Sequence, residues 1–455
     1  MGEHNASEQT ATLGAIATFD PQSPPDRKLI DACVHCGFCL STCPSYRVIG
    51  KETDSPRGRI YLMDGINEGE IPFSPATVQH FDSCLGCLAC VTTCPSGVQY
   101  DQLIEATRQQ VERNHPRSLP ERLLRQLIFS LFPYPNRLRL LLRPLGLYQK
   151  SGLQRLVRSL PLQQLAPQLA AMEALLPPIA PQAFRDSLPE RIPAQGPKRY
   201  RVGVLLGCVQ RLFNPAVNEA TVRVLSANGC EVVIPNPQGC CGALTHHQGH
   251  EAQTQTLARQ LIDSFAAANV DYVLINASGC GHTLKEYGHI LADDPAYRDK
   301  AKAFAAQVRD VQEFLAEVGL TAKLSPLQAK PLTLVYQDAC HMLHGQKISV
   351  QPRQLLQQIP NVQLREPLDA ALCCGSAGVY NILQPEVAAE LGRQKVQNLT
   401  NTGAAVIVSA NIGCFVQISK HLELQGKQVP VIHPMQLLDR SIRGLPLESE
   451  SETQP

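Results

Sequence analysis

The sequence lacks a net charge, a long apolar run and a recognisable export signal. Its 455 residues carry 41 Lys and Arg against 40 Asp and Glu, a net charge of +1. No strong field is available to attract nucleic acid, and no zinc-finger or RNA-binding motif occurs, so we expect no nucleic-acid partner. No apolar run is long enough for a bilayer, and the first residues, MGEHNASEQTATLG, lack a basic stretch followed by an apolar one. We therefore expect a cytoplasmic protein.

Cysteine, in contrast, is abundant. The chain has 17 cysteines, an odd number, in a sequence without an export signal. Disulfides are rare in a reducing cytosol, where cysteines more often bind metals or perform redox chemistry. The cysteine count therefore indicates a metal or redox protein.

Eight of the cysteines form two runs of identical spacing. CVHCGFCLSTCP begins at Cys33 and CLGCLACVTTCP begins at Cys84, and each reads C-x2-C-x2-C-x3-C-P. This is the spacing of bacterial two-cluster ferredoxins, in which the fourth cysteine of each run binds the other [4Fe–4S] cluster. Zinc ribbons use C-x2-C pairs and would leave half of these cysteines without a role. The spacing predicts one cluster on Cys33, Cys36, Cys39 and Cys94, and a second on Cys84, Cys87, Cys90 and Cys43.

Three side chains near these runs have possible roles beside the clusters. His35 lies between two predicted ligands, and we interpret it as a neighbour of the cluster because four thiolates complete each site. The segment RGRIYLMDGI has apolar residues at helical spacing. Its Arg57 and Arg59 either donate to cluster sulfurs, which raises a reduction potential, or occupy the solvated or ion-paired start of a helix.

A cysteine-free segment, rich in Leu, Pro and Arg, follows the predicted cluster domain. From Arg117 to Arg158 it holds nine Lys or Arg against one acid, Glu121. Its helical periodicity, broken by prolines, predicts a helical connector. Two interpretations remain open. The connector is either a basic amphipathic surface that meets a membrane face or a partner subunit, or a helical collar with its arginines in water.

From residue 198 the pattern alternates between strand and helix, and it occurs twice. Single cysteines follow predicted buried strands, and cysteine doublets stand in the loops between them: Cys208, Cys240, Cys241 and Cys280 in the first copy, and Cys340, Cys373, Cys374 and Cys414 in the second. Equivalent cysteines are 132 to 134 residues apart. A nearly constant offset indicates a duplication, and the alternation predicts α/β units with parallel sheets.

The placement of these cysteines predicts a site. In open parallel sheets ligands bind at the carboxyl ends of the strands, so each copy should bring its four thiols to one rim. Four thiolates there could bind an iron–sulfur cluster, a zinc ion or nothing, and two facing doublets could perform thiol–disulfide exchange. Histidines also lie nearby: His246, His247, His282, His341 and His344. We interpret His341 and His344 either as metal or substrate groups or as ordinary loop histidines, and Cys230 as a core thiol.

At these residues the chain resembles the cysteine-rich CCG family, which is named for the doublet. The motifs that carry the resemblance include ETDSPRGRIYLM, QGCCGALTHHQG, NASGCGHTLKEYG, DACHMLHGQ and CCGSAGVYN. The chain is similar to the two-domain subunit of heterodisulfide reductase and to iron–sulfur subunits of lactate and anaerobic glycerol-3-phosphate dehydrogenases. It is most similar to those of glycolate oxidase. The resemblance extends from about Asp31 to Leu438.

This resemblance implies an electron-transfer subunit of a complex that oxidises glycolate to glyoxylate, or D-lactate to pyruvate. In such complexes a separate FAD-containing subunit removes the hydride, and the clusters pass electrons singly to a quinone or another acceptor. This chain has neither a G-x-G-x-x-G after a strand nor a P-loop, which agrees with a flavin held elsewhere. Alternatives are a lactate or glycerol-3-phosphate dehydrogenase subunit, a thiol–disulfide reductase that uses the doublets, or a non-catalytic scaffold or redox sensor.

One feature departs from the reductase pattern. That pattern ends in C-x2-C and supplies five thiolates to a noncubane cluster, whereas here Thr283 and Gln417 stand at the fifth position. A noncubane pair is therefore not expected, although four thiolates are enough for an ordinary cluster.

Together these patterns predict a mixed fold, in which a mainly helical two-cluster ferredoxin domain precedes a duplicated α/β domain with parallel sheets. The predicted segments are a disordered N-terminus (1–22), an α-helical ferredoxin domain (23–110), a Pro/Arg-rich helical connector (111–197), a first CCG domain (198–325), a second CCG domain (326–442) and a disordered acidic tail (443–455).

Overall fold

A computed structural model describes residues 18–159, 167–174, 176, 179, 184 and 188–447. The first part of the chain is helical, and two α/β units follow it, which confirms the predicted mixed fold. The helices of the cluster region are α1 (Arg27–Asp31), α2 (Phe38–Thr42), α3 (Pro44–Ile49), α4 (Pro56–Asn67), α5 (Pro75–Asp82), α6 (Ala89–Thr93) and α7 (Tyr100–Asn114), with a 3-10 turn at Glu52–Asp54. The connector contains α8 (Leu119–Leu131), α9 (Pro135–Lys150), α10 (Leu153–Ser159) and α11 (Pro167–Ala174).

The first α/β unit has a five-stranded sheet of order β1-β3-β2-β4-β5. Four of its strands, β3, β2, β4 and β5, are parallel, and β1 pairs antiparallel with β3 at one edge. Its elements are β1 (Arg191–Ile192), β2 (Tyr200–Leu205), α12 (Gln210–Phe213), α13 (Pro215–Ala227), β3 (Cys230–Val233), α14 (Ala243–His246), α15 (Glu251–Ala266), β4 (Tyr272–Ile275), α16 (Ser278–Lys285), α17 (Tyr287–Ile290), α18 (Arg298–Gln307), β5 (Val308–Asp310) and α19 (Val311–Val318).

The second α/β unit repeats this arrangement in a parallel sheet of order β7-β6-β8-β9. Its elements are β6 (Leu332–Gln337), a π-helical turn (His341–Gly345), α20 (Val350–Gln357), β7 (Val362–Arg365), α21 (Tyr380–Leu383), α22 (Pro385–Thr400), β8 (Val406–Ser409), α23 (Ile412–Leu424), β9 (Val431–Ile432) and α24 (Pro434–Arg443). The strand β2 lies between β3 and β4, and β6 lies in the same way between β7 and β8, which is the order expected of a duplication.

The two units share one hydrophobic core because their last helices are exchanged. The helix α24 of the second unit packs on α13 of the first, and α19 of the first packs on α20 of the second. Arg223 on α13 and Asp439 on α24 form an ion pair at 2.8 Å across this contact. The central strands are rich in buried Val, Ile and Leu because both faces of a parallel sheet are covered.

The ends of the described chain are ordered, which corrects two predicted boundaries. Phe19 is buried and packs edge-on against Phe73, and Asp20 pairs with Arg113 at 3.0 Å, so residues 18–22 belong to the fold. At the other end the amide of Leu447 donates to a carbonyl at 2.9 Å, so residues 443–447 belong to it as well. The rest of both predicted disordered segments, residues 1–17 and 448–455, lies outside the described residues.

Two inner boundaries also differ from the prediction. The helix α7 continues to Asn114, past the predicted domain end at 110, because its buried face continues to Val111. The strand β1 lies within the predicted connector, 111–197, yet it is the edge strand of the first sheet. A two-residue strand leaves too short a pattern for sequence periodicity to detect.

The connector is a collar whose inner face is buried. Ile128 and Leu142 on its first two helices are fully buried. Two of its arginines are not in water as the collar interpretation expected: Arg117 and Arg125 are nearly buried and share Asp82 and Glu121 as ion-pair partners. Long arginine stems cover apolar surface while their charges are paired. No helix among the described residues is long and apolar enough to cross a membrane.

Candidate functional site

The two N-terminal cysteine runs form loops with the same backbone. The second residue after the first cysteine, His35 or Gly86, has a positive φ of 52° or 63°. The fourth, Gly37 or Leu88, has a φ of 85° or 64° and caps the short helix that follows. These two left-handed residues turn the loop tightly around the first three cysteines, whereas the fourth cysteine is extended and points onward. Identical spacing therefore produces identical geometry.

The first predicted cysteine set lies at the surface. Cys33, Cys39 and Cys94 are half-buried and Cys36 is exposed, as is the neighbouring His35. Burial, together with the nearby Cys94 thiol, raises the pKa of Cys33. The guanidinium of Arg57 crosses this loop, donating to the carbonyl of His35 at 2.9 Å and pairing with Glu52.

The second predicted set lies in the interior. Cys43, Cys84, Cys87 and Cys90 are all buried and line one small cavity together with Arg59 and Tyr100. The cysteine that ends the first run thus joins three cysteines of the second run, as the ferredoxin pattern requires.

Arg59 is the charged group beside the second set. It is fully buried, and it donates to the hydroxyls of Ser45 at 3.0 Å and Ser83 at 2.8 Å. Its Nη1 has no hydrogen-bond partner in the described part of the chain. Burial alone would raise the pKa of Cys84, but Arg59 and Arg108 outweigh that effect and hold the pKa below its usual value. Arg59 is ion-paired with Asp54 at 3.7 Å, one of the two arrangements considered for it, and it also lies beside the predicted second cluster site.

The eight cysteines of the α/β units meet at the carboxyl ends of their strands. Cys208 follows β2, Cys280 lies in the first turn of the helix after β4, and the doublet lies in the loop after β3. This is the point where the strand order reverses, which is the usual ligand site of open parallel sheets. In the second unit Cys340, Cys414 and the second doublet occupy the same places.

Within each rim the thiols are in contact. The sulfurs of Cys208 and Cys240 lie 3.3 Å apart, and those of Cys374 and Cys414 lie 3.2 Å apart. Contact with a second thiol and burial raise the pKa of Cys208 and Cys340 well above the usual value. Thiols of raised pKa hold their protons more firmly than ordinary ones unless a cation replaces those protons.

Among the described residues no group of three or more His, Cys, Asp or Glu side chains is arranged to hold a single metal ion. At the fifth positions Thr283 and Gln417 donate to backbone carbonyls at 3.3 and 3.0 Å, so neither side chain replaces the missing thiolate.

A cavity of about 560 Å³ lies between the two rims and the connector. Seven of the eight rim cysteines line it, all except Cys373, together with His247 and His341. Its other wall is apolar and comes largely from connector side chains such as Leu138, Leu142 and Leu145. A pocket with apolar walls and a few polar groups at one end is typical of a small-molecule site.

The loop that carries the second cysteine set is held between both α/β units. The Nε2 of His341 lies 2.9 Å from the carbonyl oxygen of Gly86, and the Nδ1 of His344 lies 2.7 Å from the hydroxyl of Thr92. Arg108 donates to the carbonyl of His247 at 2.8 Å and to that of Cys84. His344 is thus a packed loop histidine, whereas His341 combines such a contact with a place at the cavity.

Several residues around the site escaped sequence reasoning. Arg108 and Lys395 are buried and Glu105 is half-buried, and the contacts of all three come from distant parts of the chain. Cys230 is buried in β3, in agreement with the prediction of a core thiol.

A dicluster domain next to a duplicated cysteine-rich α/β unit is the architecture of an iron–sulfur electron-transfer protein. The chain matches the 4Fe-4S dicluster domain over residues 29–98 and the cysteine-rich domain over 202–285 and 334–419. It also matches the linker region of the glycolate oxidase iron-sulfur subunit over 120–176, within the predicted connector. The chain resembles a crystal structure of a hypothetical protein from Helicobacter pylori with a TM-score of 0.50 at 10% identity, covering 84% of this chain and 66% of that one.

Relatives cover nearly the whole chain. The probable glycolate oxidase iron-sulfur subunit of Bacillus subtilis is 40% identical over 89% of this chain and 92% of its own length. The glycolate oxidase iron-sulfur subunit of Escherichia coli is 35% identical over 91% and 94%. Lactate utilization protein A of Exiguobacterium is 28% identical over 53% and 98%. The chain belongs to the family of glycolate oxidase iron–sulfur subunits, which confirms the resemblance seen in its motifs.

Proposed function

We propose that this chain passes electrons, one at a time, from an FAD-containing partner that oxidises glycolate to glyoxylate to a quinone or another acceptor. This proposal rests on the different burial of the two predicted cysteine sets. One set faces solvent, and the other is buried beside the second rim. The names of two relatives suggest glycolate as the substrate, and the match to lactate utilization protein A makes D-lactate the alternative.

The residues fit two [4Fe–4S] clusters. We assign Cys33, Cys36, Cys39 and Cys94 to the first cluster, and Cys84, Cys87, Cys90 and Cys43 to the second. Such clusters supply one-electron transfer at potentials that charge, hydrogen bonds and burial set. At the second site Arg59 supplies a positive charge, and the Gly86 amide and the Tyr100 hydroxyl lie 3.4 and 3.7 Å from the Cys84 sulfur.

We place the entry of electrons at the first set. Val34 and Phe38, on either side of the exposed Cys36, leave 67% and 63% of their surface exposed. Exposed apolar side chains around a redox site are typical of a docking surface. The flavin-containing partner is therefore proposed to dock here, where its electrons have the shortest path into the chain.

We propose that the two rims also hold iron–sulfur groups and that the acceptor is reduced in the cavity between them. Thiol–disulfide exchange needs an accessible thiol of low pKa, whereas Cys208, Cys340 and the doublets are packed together with raised pKa values. The second rim adjoins the buried set, because Cys340 and Cys373 are close enough to influence the Cys87 thiol. Electrons thus have a continuous route of thiol ligands to the cavity.

We further propose that the connector rests on the cytoplasmic face of an anionic membrane. Leu119, Leu123 and Leu127 recur every four residues on α8 and are exposed. Exposed basic residues interleave with these and other exposed leucines, among them Arg122 and Arg137. Leucines beside basic side chains are the composition of an interfacial helix, and such a surface gives a lipid-soluble quinone a path to the neighbouring cavity.

Purification of the chain with its flavin partner under anaerobic conditions tests the central proposal. The complex should reduce a dye with glycolate faster than with D-lactate or glycerol 3-phosphate. If none of the three supports reduction, the proposal is wrong. Iron analysis separates the roles of the rims: about eight irons per chain means two clusters and empty rims, and twelve or more places iron in the α/β units.

Two variants locate the proposed surfaces and serve as each other's controls. Phe38→Asp should slow glycolate-dependent reduction of the clusters and leave binding to phosphatidylglycerol vesicles unchanged. Leu123→Asp should weaken vesicle binding and leave cluster reduction unchanged. If both variants affect both measurements equally, the separation of the two surfaces is contradicted.

A further inference from the structure

A line of buried polar groups joins the surface to the cavity. Glu105 on α7 contacts His246, with its Oε1 3.1 Å from the Nε2 of that histidine and 3.9 Å from the Nδ1 of His247. His246 is 7% exposed, and its Nε2 makes no aligned hydrogen bond within the described ranges. At 3.1 Å a buried imidazole can exchange a proton with the neighbouring carboxylate.

The inner end of the line opens on the cavity. His247 lines the cavity, and its Nε2 has no hydrogen-bond partner in the part of the chain described. Its ring centroid is 4.6 Å from that of His341 and 6.4 Å from that of His282, and Arg108 holds its carbonyl. His247 is therefore the last group of the line before the cavity.

The outer end reaches the surface through acidic groups. Asp101 and Glu286 are half-buried, and His289 is exposed. Burial and the charge of Glu105 raise the pKa of both Asp101 and Glu286, so these carboxyls hold protons more readily than ordinary ones. A path of titratable groups thus runs from His289 inward to Glu105.

The two inner imidazoles differ in how firmly they hold a proton. Burial lowers the pKa of His246, but Glu105 outweighs it and keeps the pKa above the usual value, with Glu286 and Glu251 adding to the effect. Burial and the neighbouring imidazoles and Arg108 hold the pKa of His247 well below the usual range. His246 therefore holds a proton more firmly than an ordinary imidazole, whereas His247 holds one weakly and gives it up readily once it receives one.

We propose that Glu105, His246 and His247 form a proton line that supplies protons from solvent to an acceptor reduced in the cavity. This inference rests on the proposed function. Reduction of a quinone to a quinol takes two electrons, which arrive singly through the iron–sulfur route, and two protons. For each proton, His246 passes a proton to His247, whose ring centroid lies 5.5 Å away, the imidazolium formed there gives it to a quinone oxygen that has gained an electron, and Glu105 returns a proton from solvent to His246.

A comparison of two acceptors tests the line. Ferricyanide takes one electron and no proton, whereas a short-chain ubiquinone takes two electrons and two protons. In the Glu105→Gln complex the ratio of quinone to ferricyanide rates should fall at least tenfold, within the range that a positioned acid or base contributes. The solvent isotope effect on quinone reduction should rise. His247→Gln should have the same effects and is the second variant if Glu105→Gln retains less iron.

Glu112 provides the matched control. It lies two turns further along α7 and faces His250 at 3.7 Å, a second pair of carboxylate and histidine that lies outside the line. Glu112→Gln should keep the ratio of rates within twofold of the wild-type value. An unchanged ratio in both Glu105→Gln and His247→Gln, or equal loss with both acceptors, overturns the proton line. A wild-type complex that reduces neither acceptor with glycolate, yet reduces quinone after dithionite, would instead contradict the proposed function.

Discussion

Arg59 should raise the reduction potential of the second cluster, and its replacement by Met measures how much. Reduction adds a negative charge to the cluster, and a buried positive charge beside it stabilises the reduced form. An unpaired guanidinium about 6 Å from that charge, at an effective dielectric constant of about 20, would contribute about 3 kcal/mol. Arg59 is paired with the buried Asp54 at 3.7 Å, which offsets part of this effect. Since a tenfold change in a one-electron equilibrium is 59 mV, the potential should fall in Arg59→Met by at most about 120 mV.

The structure supplies a control and a rescue for this measurement. Arg57 crosses the loop of the first set, but its side chain is 27% exposed and already paired with Glu52, so Arg57→Met should shift the first potential by far less because water screens it. Arg59→Lys keeps the charge and should restore most of the potential. Loss of Arg59 leaves Asp54 with contacts from His80 and Ser83 only, which costs about 3 kcal/mol of stability.

The assay is a redox titration of the anaerobic protein followed by electron paramagnetic resonance, which resolves the two clusters. The double variant with Asp54→Asn removes the uncompensated carboxylate if Arg59→Met alone is unstable. A potential that falls equally in Arg59→Met and Arg59→Lys would show that packing rather than charge is responsible. An unchanged potential in Arg59→Met would show that the charge of Arg59 does not raise the potential of the second cluster.

Three further predictions follow from other parts of the structure. Cys43→Ser should remove the buried cluster and Cys94→Ser the surface one, as resonance spectra would show; loss of the opposite cluster would contradict the crossed assignment. Lys395→Met should lower the iron retained by the α/β units if the rims hold iron, whereas a uniform loss in the control Leu261→Met would point to packing. Burial raises the pKa of Asp310 from 3.8 to about 7. Unfolding free energy should therefore fall by about 4 kcal/mol as pH rises from 4 through 7, and Asp310→Asn should remove that fall in thermal melts.

The sequence predicted those parts of the fold that repeat or that follow a period. The two cysteine runs share one spacing, and the structure gives them the same two left-handed residues and the same extended fourth cysteine. Likewise, the strands that precede Cys208 and Cys340 occupy equivalent positions, because each lies between the next two strands of its own unit. In both cases the local sequence specifies the backbone, so identical patterns fold identically.

What the sequence did not predict depends on contacts between distant segments. The exchange of α19 and α24 between the units, the burial of Arg117 and Arg125 and the role of Glu105 all require the relative positions of elements far apart in the chain. Composition suggested solvated arginines in the connector because an unpaired charge is usually exposed. Asp82, which lies outside the connector, makes their burial possible by pairing with both.

Duplication gave the two rims the same thiols, but the helices behind them have diverged in charge. The segment LARQLI of the first unit corresponds to LGRQKV of the second, so Leu261 in one stands where Lys395 stands in the other. Both side chains are buried, and the ammonium of Lys395 donates to the carbonyl of Ala370 at 2.7 Å while it faces Cys374 and Cys414. A buried cation favours added negative charge, so the second rim should accept an electron more readily than the first. The second rim also adjoins the buried cluster site. The difference in charge between the two rims therefore predicts that electrons pass through the second unit before they reach the cavity.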